Sequence, residues 1–361
     1  MKKILKKGTI LFLVVMLAMV MIPMETSKKN RVKASTSTEL VWGQSYSGDL
    51  YGTEEYCDYT FRLPASGRVS LLFTISSNDS MGTGLDEINF YDISNKKICT
   101  VSAKEGISTV TADLLAGEYR LEIIAGFWTG CKFSFTPSFT DSQETQSESY
   151  NCTNNETSLA TSYPMGTRYT GQFAQNDSID IYEMKVKKTG FVTFDINSQI
   201  QKMTLTITSP FGYHTNKLSN IQVGTTKETF FMPKGTYYFS FENEYGYDRR
   251  SFFSGNYTFK VTSAAVPSVQ LKKVKNVRLC SLDVTWGRNV NVDGYVIQIA
   301  TNSKFTKNRD EKIARGNYSN SEFFSDLKKK KYYVRIRTYV DSSDKRYYSA
   351  WSKSKQVHIK K

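Results

Sequence analysis

Apolar and polar residues alternate in short runs along most of this 361-residue chain. Val69, Leu71, Phe73 and Ile75 form one such run, and Val192, Phe194 and Ile196 form another. Met203, Leu205 and Ile207 alternate with Thr204, Thr206 and Thr208. Tyr119, Leu121 and Ile123 alternate in the same way, as do Tyr237, Phe239 and Phe241. A period of two puts successive side chains on opposite faces of a strand, so each run predicts a half-buried strand. Ser, Thr, Asn and Gly separate the runs. No long stripe of period 3.6 occurs beyond the first 34 residues. The expected fold class is all-β, with three tandem antiparallel β-sandwich domains after an N-terminal signal peptide.

Three landmarks recur in order. Tyr46-Ser47-Gly48-Asp49-Leu50 returns as Tyr169-Thr170-Gly171-Gln172-Phe173, and Ser66-Gly67-Arg68-Val69 returns as Thr189-Gly190-Phe191-Val192. Gly117-Glu118-Tyr119-Arg120-Leu121 returns as Gly235-Thr236-Tyr237-Tyr238-Phe239. The separations of 123, 123 and 118 residues predict one duplicated domain with a length change in a loop. A period this long implies separate beads, because stacked solenoid units repeat every ~20–50 residues. The divisions expected are a signal peptide over 1–34, repeats over 35–140 and 155–263, and a third domain over 273–361. Polar segments 141–154 and 264–272 read as linkers.

The first segment carries Lys2, Lys3, Lys6 and Lys7 ahead of an apolar run from Ile10 to Ile22, then Val32-Lys33-Ala34. This is the layout of a secretory signal peptide, and the run is short for a membrane span, which needs about 20 apolar residues. The expected location is extracellular, in part cell-surface associated, with no membrane span after processing.

Charge divides the chain. Residues 271–361 hold 22 Lys and Arg against 8 Asp and Glu, a net of +14, whereas residues 35–270 hold 18 against 25, a net of −7. A basic third domain attracts polyanions. Lys328, Lys329, Lys330 and Lys331 are its densest run and the expected polyanion contact. The five cysteines, Cys57, Cys99, Cys131, Cys152 and Cys280, cannot all pair. A secreted chain permits disulfides, and Cys57 with Cys131 is one pairing that would join the ends of the first repeat. No CxxC motif or Cys/His cluster suggests zinc, so no metal residue is expected.

Cys57-Asp58-Tyr59 and Asp180-Ile181-Tyr182, each with a Gly-led turn and an aromatic strand after Gly-x-Tyr, resemble the bacterial pre-peptidase C-terminal domain. That family is a β-sandwich accompanying secreted hydrolases, so the resemblance implies attachment rather than turnover. Val284-Thr285-Trp286, Gly294-Tyr295-Val296-Ile297-Gln298-Ile299, and Leu327 with Tyr332, Val334 and Ile336 resemble a fibronectin type III domain. The lysine- and tyrosine-rich style resembles secreted proteins of Gram-positive bacteria.

Catalysis finds little support. His214 and His358 are the two histidines, and neither lies in a nucleophile or zinc motif. Asp86-Glu87 is a carboxylate pair that could bind calcium through oxygen but reads more simply as a solvated loop. The aromatic loops are more ligand-like. Trp128 lies in one, and Tyr245, Tyr247, Arg249 and Arg250 in its counterpart. Tyr and Trp rings stack on sugars, and Arg pairs with carboxylates. The function expected is non-enzymatic binding or adhesion. Alternatives are a set of carbohydrate-binding modules or the non-catalytic targeting part of an extracellular hydrolase. Expected partners are cell-wall or host glycans, anionic wall polymers or another extracellular protein. No nucleic acid and no cofactor are expected, calcium remaining open.

The exported protein should begin near Ser35. N-terminal sequencing that returns Met1 would overturn cleavage.

Overall fold

A computed structural model describes residues 32–33, 37–51, 55–77, 85–125, 130–146, 148–149, 153–175, 177–209, 214–243, 254–277 and 280–360. Residues 1–34, expected from the sequence to be a signal peptide, lie outside them except for residues 32–33. The first strands are β1 (Val32–Lys33), β2 (Thr38–Glu39), β3 (Tyr46–Tyr51), β4 (Glu55–Leu63), β5 (Gly67–Ser77), β6 (Leu85–Asp92), β7 (Lys97–Ala103), β8 (Gly106–Leu114), β9 (Gly117–Ile124) and β10 (Gly130–Asp141). Then come β11 (Thr161–Tyr163), β12 (Arg168–Phe173), β13 (Ile179–Val186), β14 (Gly190–Ser198), β15 (Met203–Thr208), β16 (His214–Ile221), β17 (Gly224–Met232), β18 (Gly235–Asn243) and β19 (Gly255–Ala265). The last are β20 (Leu271–Asn276), β21 (Leu282–Trp286), β22 (Gly294–Ala300), β23 (Asp310–Arg315), β24 (Ser321–Phe324), β25 (Lys331–Ser342), β26 (Lys345–Tyr348) and β27 (Lys355–His358).

Each unit is a sandwich of two sheets. The first pairs β1-β4-β9-β6-β7, with β2 also on β4, against β3-β10-β5-β8. The second pairs β11-β13-β18-β15-β16 against β12-β19-β14-β17. Subtracting nine from each label of the second unit gives the order of the first, so the duplication seen in the sequence is a duplication of topology. The short β2 and β11 join their sheets in parallel, and the larger pairings are antiparallel. The third unit sets β20-β21-β24 against β23-β22-β25, whose far edge carries β26 and β27. It is an antiparallel sandwich of fibronectin type III-like form.

The alternating runs supply the cores. Val69, Leu71, Phe73 and Ile75 point into the first cluster at 3 % exposure or less, and Val192, Phe194 and Ile196 point into the second. Burying one such side chain contributes roughly 1.5–3 kcal/mol, so the period-two face accounts for most of the driving force.

The recurring landmarks have local causes. Tyr119 donates its hydroxyl to the Leu115 carbonyl at 2.8 Å, and Tyr237 donates to the Pro233 carbonyl at 3.0 Å. Each ring thereby closes the turn that feeds its own strand. Gly48 and Gly171 occupy equivalent places on β3 and β12. A Cβ there would stand 2.5 Å from the Phe133 ring or the Tyr257 ring. Glycine lets an aromatic residue of the neighbouring strand lie across the backbone.

The joints are packed. Val266 and Val269 belong to the third core, with Phe191 and Phe231 of the second unit against it. Phe231 lies 5.3 Å from Tyr347. Segment 264–272 is therefore part of the folded body. Between the first two units, Arg68 forks onto Asp113 at 2.8 and 2.9 Å, and Ser254 of the second unit donates to the same carboxylate at 2.6 Å. Ser142 hydrogen-bonds back to the Ser66 carbonyl, while Asn256 donates to the Ser142 carbonyl at 3.1 Å.

The suggested Cys57–Cys131 bridge is corrected by the structure. Cys57, Cys99 and Cys280 are free thiols. Cys57 lies on β4 and Cys131 on β10 of the opposite sheet, and both pack as small apolar groups at the first core. Burial pushes the Cys99 thiol up to about 12, so it stays protonated and unreactive.

Trp286 is 1 % exposed, with its ring 5.3 Å from that of Tyr295. Trp286→Ala should destabilise the third unit by ~3–5 kcal/mol. Denaturant unfolding that registers a loss under about 1 kcal/mol would contradict its place in the core.

Candidate functional site

Trp128, Tyr245, Tyr247, Arg249 and Arg250 lie outside the described residues. Lys328, Lys329, Lys330 and Lys331 are all exposed, at the corner between β24 and β25. The corner is held from below: the Ile359 amide donates to the Lys330 carbonyl at 3.0 Å. Lys331 reaches over the Tyr333 ring at 5.3 Å. The side chains of Asp86 and His214 fall outside the description. Glu87 accepts from Asn89 at 3.2 Å, and His358 is exposed on the last strand.

The structure assembles a different group. Glu148, from the segment joining the first two units, meets Asp177 and Asp180 of the second. One carboxylate oxygen from each lies within 4.8 Å of the others. Exposures are 7 %, 2 % and 2 %. Chain geometry explains the meeting. Asp180 sits on β13 in line with Tyr182, Met184 and Val186, so it points inward at the end of the core. Asp177 precedes the strand by one turn. The segment carrying Glu148 is drawn over this end by several bonds. Ser66 donates to the Glu148 carbonyl at 3.1 Å, Gln172 donates its amide to Glu144 at 3.2 Å, and Thr145 donates its amide to the Thr170 carbonyl at 3.0 Å.

The polar surroundings are uneven. Asp180 accepts from the Tyr257 hydroxyl, which lies 2.9 Å from the Tyr182 hydroxyl. Asn154 fixes the entry to β13 by accepting from the Ile181 amide at 3.2 Å. Yet both carboxylate oxygens of Asp177, Oε2 of Glu148 and the side-chain oxygens of Asn155 and Gln172 are buried without a well-aligned hydrogen bond among the described residues, although the Asn155 side chain and the Ser178 and Ile179 amides lie close enough to Asp177 to favour its charge. Among the described residues no Lys or Arg pairs with these acids. Burial, then the charges of Asp177 and Glu144, pushes Glu148 up to about 8. Burial, together with the Glu144 charge, pushes Asp177 up to about 7. Burial and its two acidic neighbours hold Asp180 well above the usual carboxylate range.

Buried carboxylates without a countercharge must take up protons or a cation. The donors are hard oxygens. A calcium ion with ligands at ~2.3–2.6 Å spaces them by up to about 5 Å, which the observed separations satisfy. Glu148, Asp177 and Asp180 would hold such an ion, and the idle oxygens of Asn155 or Gln172 are of the neutral type that completes calcium shells. The sequence reading expected no metal ligand and looked for calcium at Asp86-Glu87. Its available signal was Asp177-x-x-Asp180 opening a strand, with Asn154-Asn155 and Glu148 upstream; what hid it was that the acids come from different segments.

No family model matches the chain, and no curated protein matches it. Among solved structures it is similar to a chain described as a myokine, at 16% identity and a TM-score of 0.22, over 27% of this chain and 100% of that one. It is similar to a two-domain fibronectin type III segment of chicken tenascin, at 17% identity and a TM-score of 0.29, over 50% and 97% of the two chains. It is also similar to the first three fibronectin domains of chicken CNTN1, at 13% identity and a TM-score of 0.24, over 80% and 99%.

Stability should depend on pH in a defined direction. The unfolded carboxyls ionise near ~4, whereas the folded ones hold their protons to about 7 and 8. The folded state binds more protons across that window, so without a divalent cation stability falls as pH rises from about 4 to 8. Calcorimetric melting at pH 7.5 should shift upward on adding calcium. Asp177→Asn should flatten the pH dependence and remove the calcium shift. A melt indifferent to both pH and calcium would sink the assignment.

Proposed function

We propose that this chain is a secreted, non-enzymatic binding protein of the cell surface or extracellular matrix, attached through its basic third unit to an anionic polymer. The observation that carries the reading is the concentration of charge: +14 over residues 271–361, against −7 over residues 35–270. The exposed lysine corner supports it. Four adjacent ammonium groups repel one another in solution, and a polyanion that crosses them relieves the repulsion. The two repeats, read as pre-peptidase C-terminal-like modules, serve as carriers that hold the basic unit at a set distance. The carboxylate centre between them stiffens the joint when a cation neutralises it.

Contacts of exposed lysines with polyanions are screened over ~8 Å at physiological salt. Binding of the full mature chain to anionic cell-wall polymer should therefore weaken steeply as salt is added. Replacing Lys328–Lys331 by Gln should weaken it further at fixed salt, with the melting temperature unchanged. Salt-insensitive binding, or binding that survives deletion of residues 273–361, would move the attachment to the repeats.

A further inference from the structure

Arg335 and Arg337 stand at alternate positions of β25, facing away from the core that Val334 and Ile336 fill. Aromatic rings enclose both. Arg335 lies 4.1 Å from the Phe305 ring and 4.2 Å from the Trp351 ring. Arg337 lies 4.3 Å from Trp351 and 3.6 Å from Tyr348. Residues two apart on a strand are separated by about 7 Å, so Trp351 sits between the two guanidinium groups. The result is one stack: Phe305, Arg335, Trp351, Arg337, Tyr348. Ser349 and Ser352 hold the last segment in place by accepting from the Thr338 and Ile336 amides at 3.0 and 3.1 Å.

Among the described residues no carboxylate forms an ion pair with either charge of this stack, unlike the other well-packed arginines. Arg68 forks onto Asp113, Arg120 pairs with Asp58 and Glu122, and Arg346 forks onto Asp341 while lying over Tyr339. Arg335 has only the neutral Gln298 oxygen, at 2.8 and 2.5 Å, and the nearby Glu311 is engaged by the Gln298 amide at 2.9 Å. Nε of Arg337 is buried and has no hydrogen-bond partner. Arg309 adds a third positive charge near Arg335, and Lys331 extends the same face of β25 beyond Tyr333.

Resting on the reading that the third unit binds an anionic polymer, we propose that the Arg335–Trp351–Arg337 stack is its specific seat, and that the occupant is a linear phosphodiester polymer without bases. Stacked guanidinium groups have their faces covered, Nε and Nη2 of Arg335 are given to Gln298, and Nε of Arg337 is buried, which leaves their remaining terminal Nη–H groups to meet phosphate oxygens. Cations at positions 331, 335 and 337 give an extended chain of regularly spaced phosphates successive contacts along β25. The ring faces argue against the competitors. Trp351 is occupied by arginine on both sides, so its faces offer neither a sugar nor a nucleobase the open platform that stacking requires. Tyr348, 42 % exposed, rims the stack.

The test uses the full mature chain and poly(glycerol phosphate), with heparin and oligo(dT) of matched charge as comparators. Wild type should bind poly(glycerol phosphate) at least about tenfold tighter than either comparator (~1.4 kcal/mol). The pair Arg335→Lys and Arg337→Lys keeps the charge and removes the planar fork, and should erase that preference while leaving salt-dependent binding to all three. Because the stack also supports the fold, a second readout needs no variant: the arginine Nε–H resonances of the wild type should shift on adding poly(glycerol phosphate). Equal affinity for heparin or oligo(dT), or arginine resonances that stay still during saturable binding, overturns the seat while the basic attachment stands. No binding to any of the three polyanions overturns the attachment itself.

Discussion

Three carboxyl groups gathered out of water, with no cationic side chain paired to them among the described residues, set the condition that the front two-thirds of the molecule must meet. Glu148, Asp177 and Asp180 can share one place if their charge is removed, by protons or by a bound ion. The residues around them follow from that need. Tyr257 donates to Asp180, Asn154 steadies the strand that carries it, and Ser66 of the first unit reaches the backbone of Glu148. A polar run of Ser, Gln and Glu, which in isolation has every reason to stay solvated, becomes an ordered part of the interface.

Much of the architecture was legible along the chain, because a strand advertises its buried face every second residue. The runs Val69–Ile75 and Val192–Ile196 landed on core faces, and the repeated Gly-x-Tyr proved to be a turn closed by the tyrosine's own hydroxyl. The chemistry was far less legible. Lys328–Lys331 announced itself as a block of charge, whereas the carboxylate group drew on segments 29 and 3 residues apart that only the fold brings together. The arginine stack was hidden for the same reason. Phe305, Arg335, Arg337, Tyr348 and Trp351 come from a loop, β25, the end of β26 and the segment after it, and nothing in their spacing signals alternation in space. How the polar linkers are held was hidden for a different cause: composition reports what a segment could do alone, and the described residues of both segments are held by neighbours.

The two ends of the described molecule solve opposite electrostatic problems. In the acidic repeats, arginines are matched to carboxylates, as Arg68 is to Asp113 and Arg120 to Asp58, and three further carboxyl groups are put inside the joint, where burial favours their neutral form. In the third unit the positive surplus stays outside, on a lysine corner and on guanidinium groups shielded by rings. Aromatic faces let a charged side chain pack against the sheet without being neutralised. A basic surface can therefore be stiff as well as charged.

The tethered joint has a consequence for survival in a medium that contains proteases. Cleavage needs several residues of backbone to pull free and extend into an enzyme's cleft, and segments between domains usually offer them. Here the Ser142 amide is bound to Ser66, the Thr145 amide to Thr170, and the Ser142 carbonyl to Asn256, so the scissile backbone is already spoken for. On the proposed stiffening of this joint by a cation, its release would follow the ionisation of the carboxyl groups that adjoin it. A change in calcium or acidity would thus decide whether this protein persists as one piece or is clipped into two.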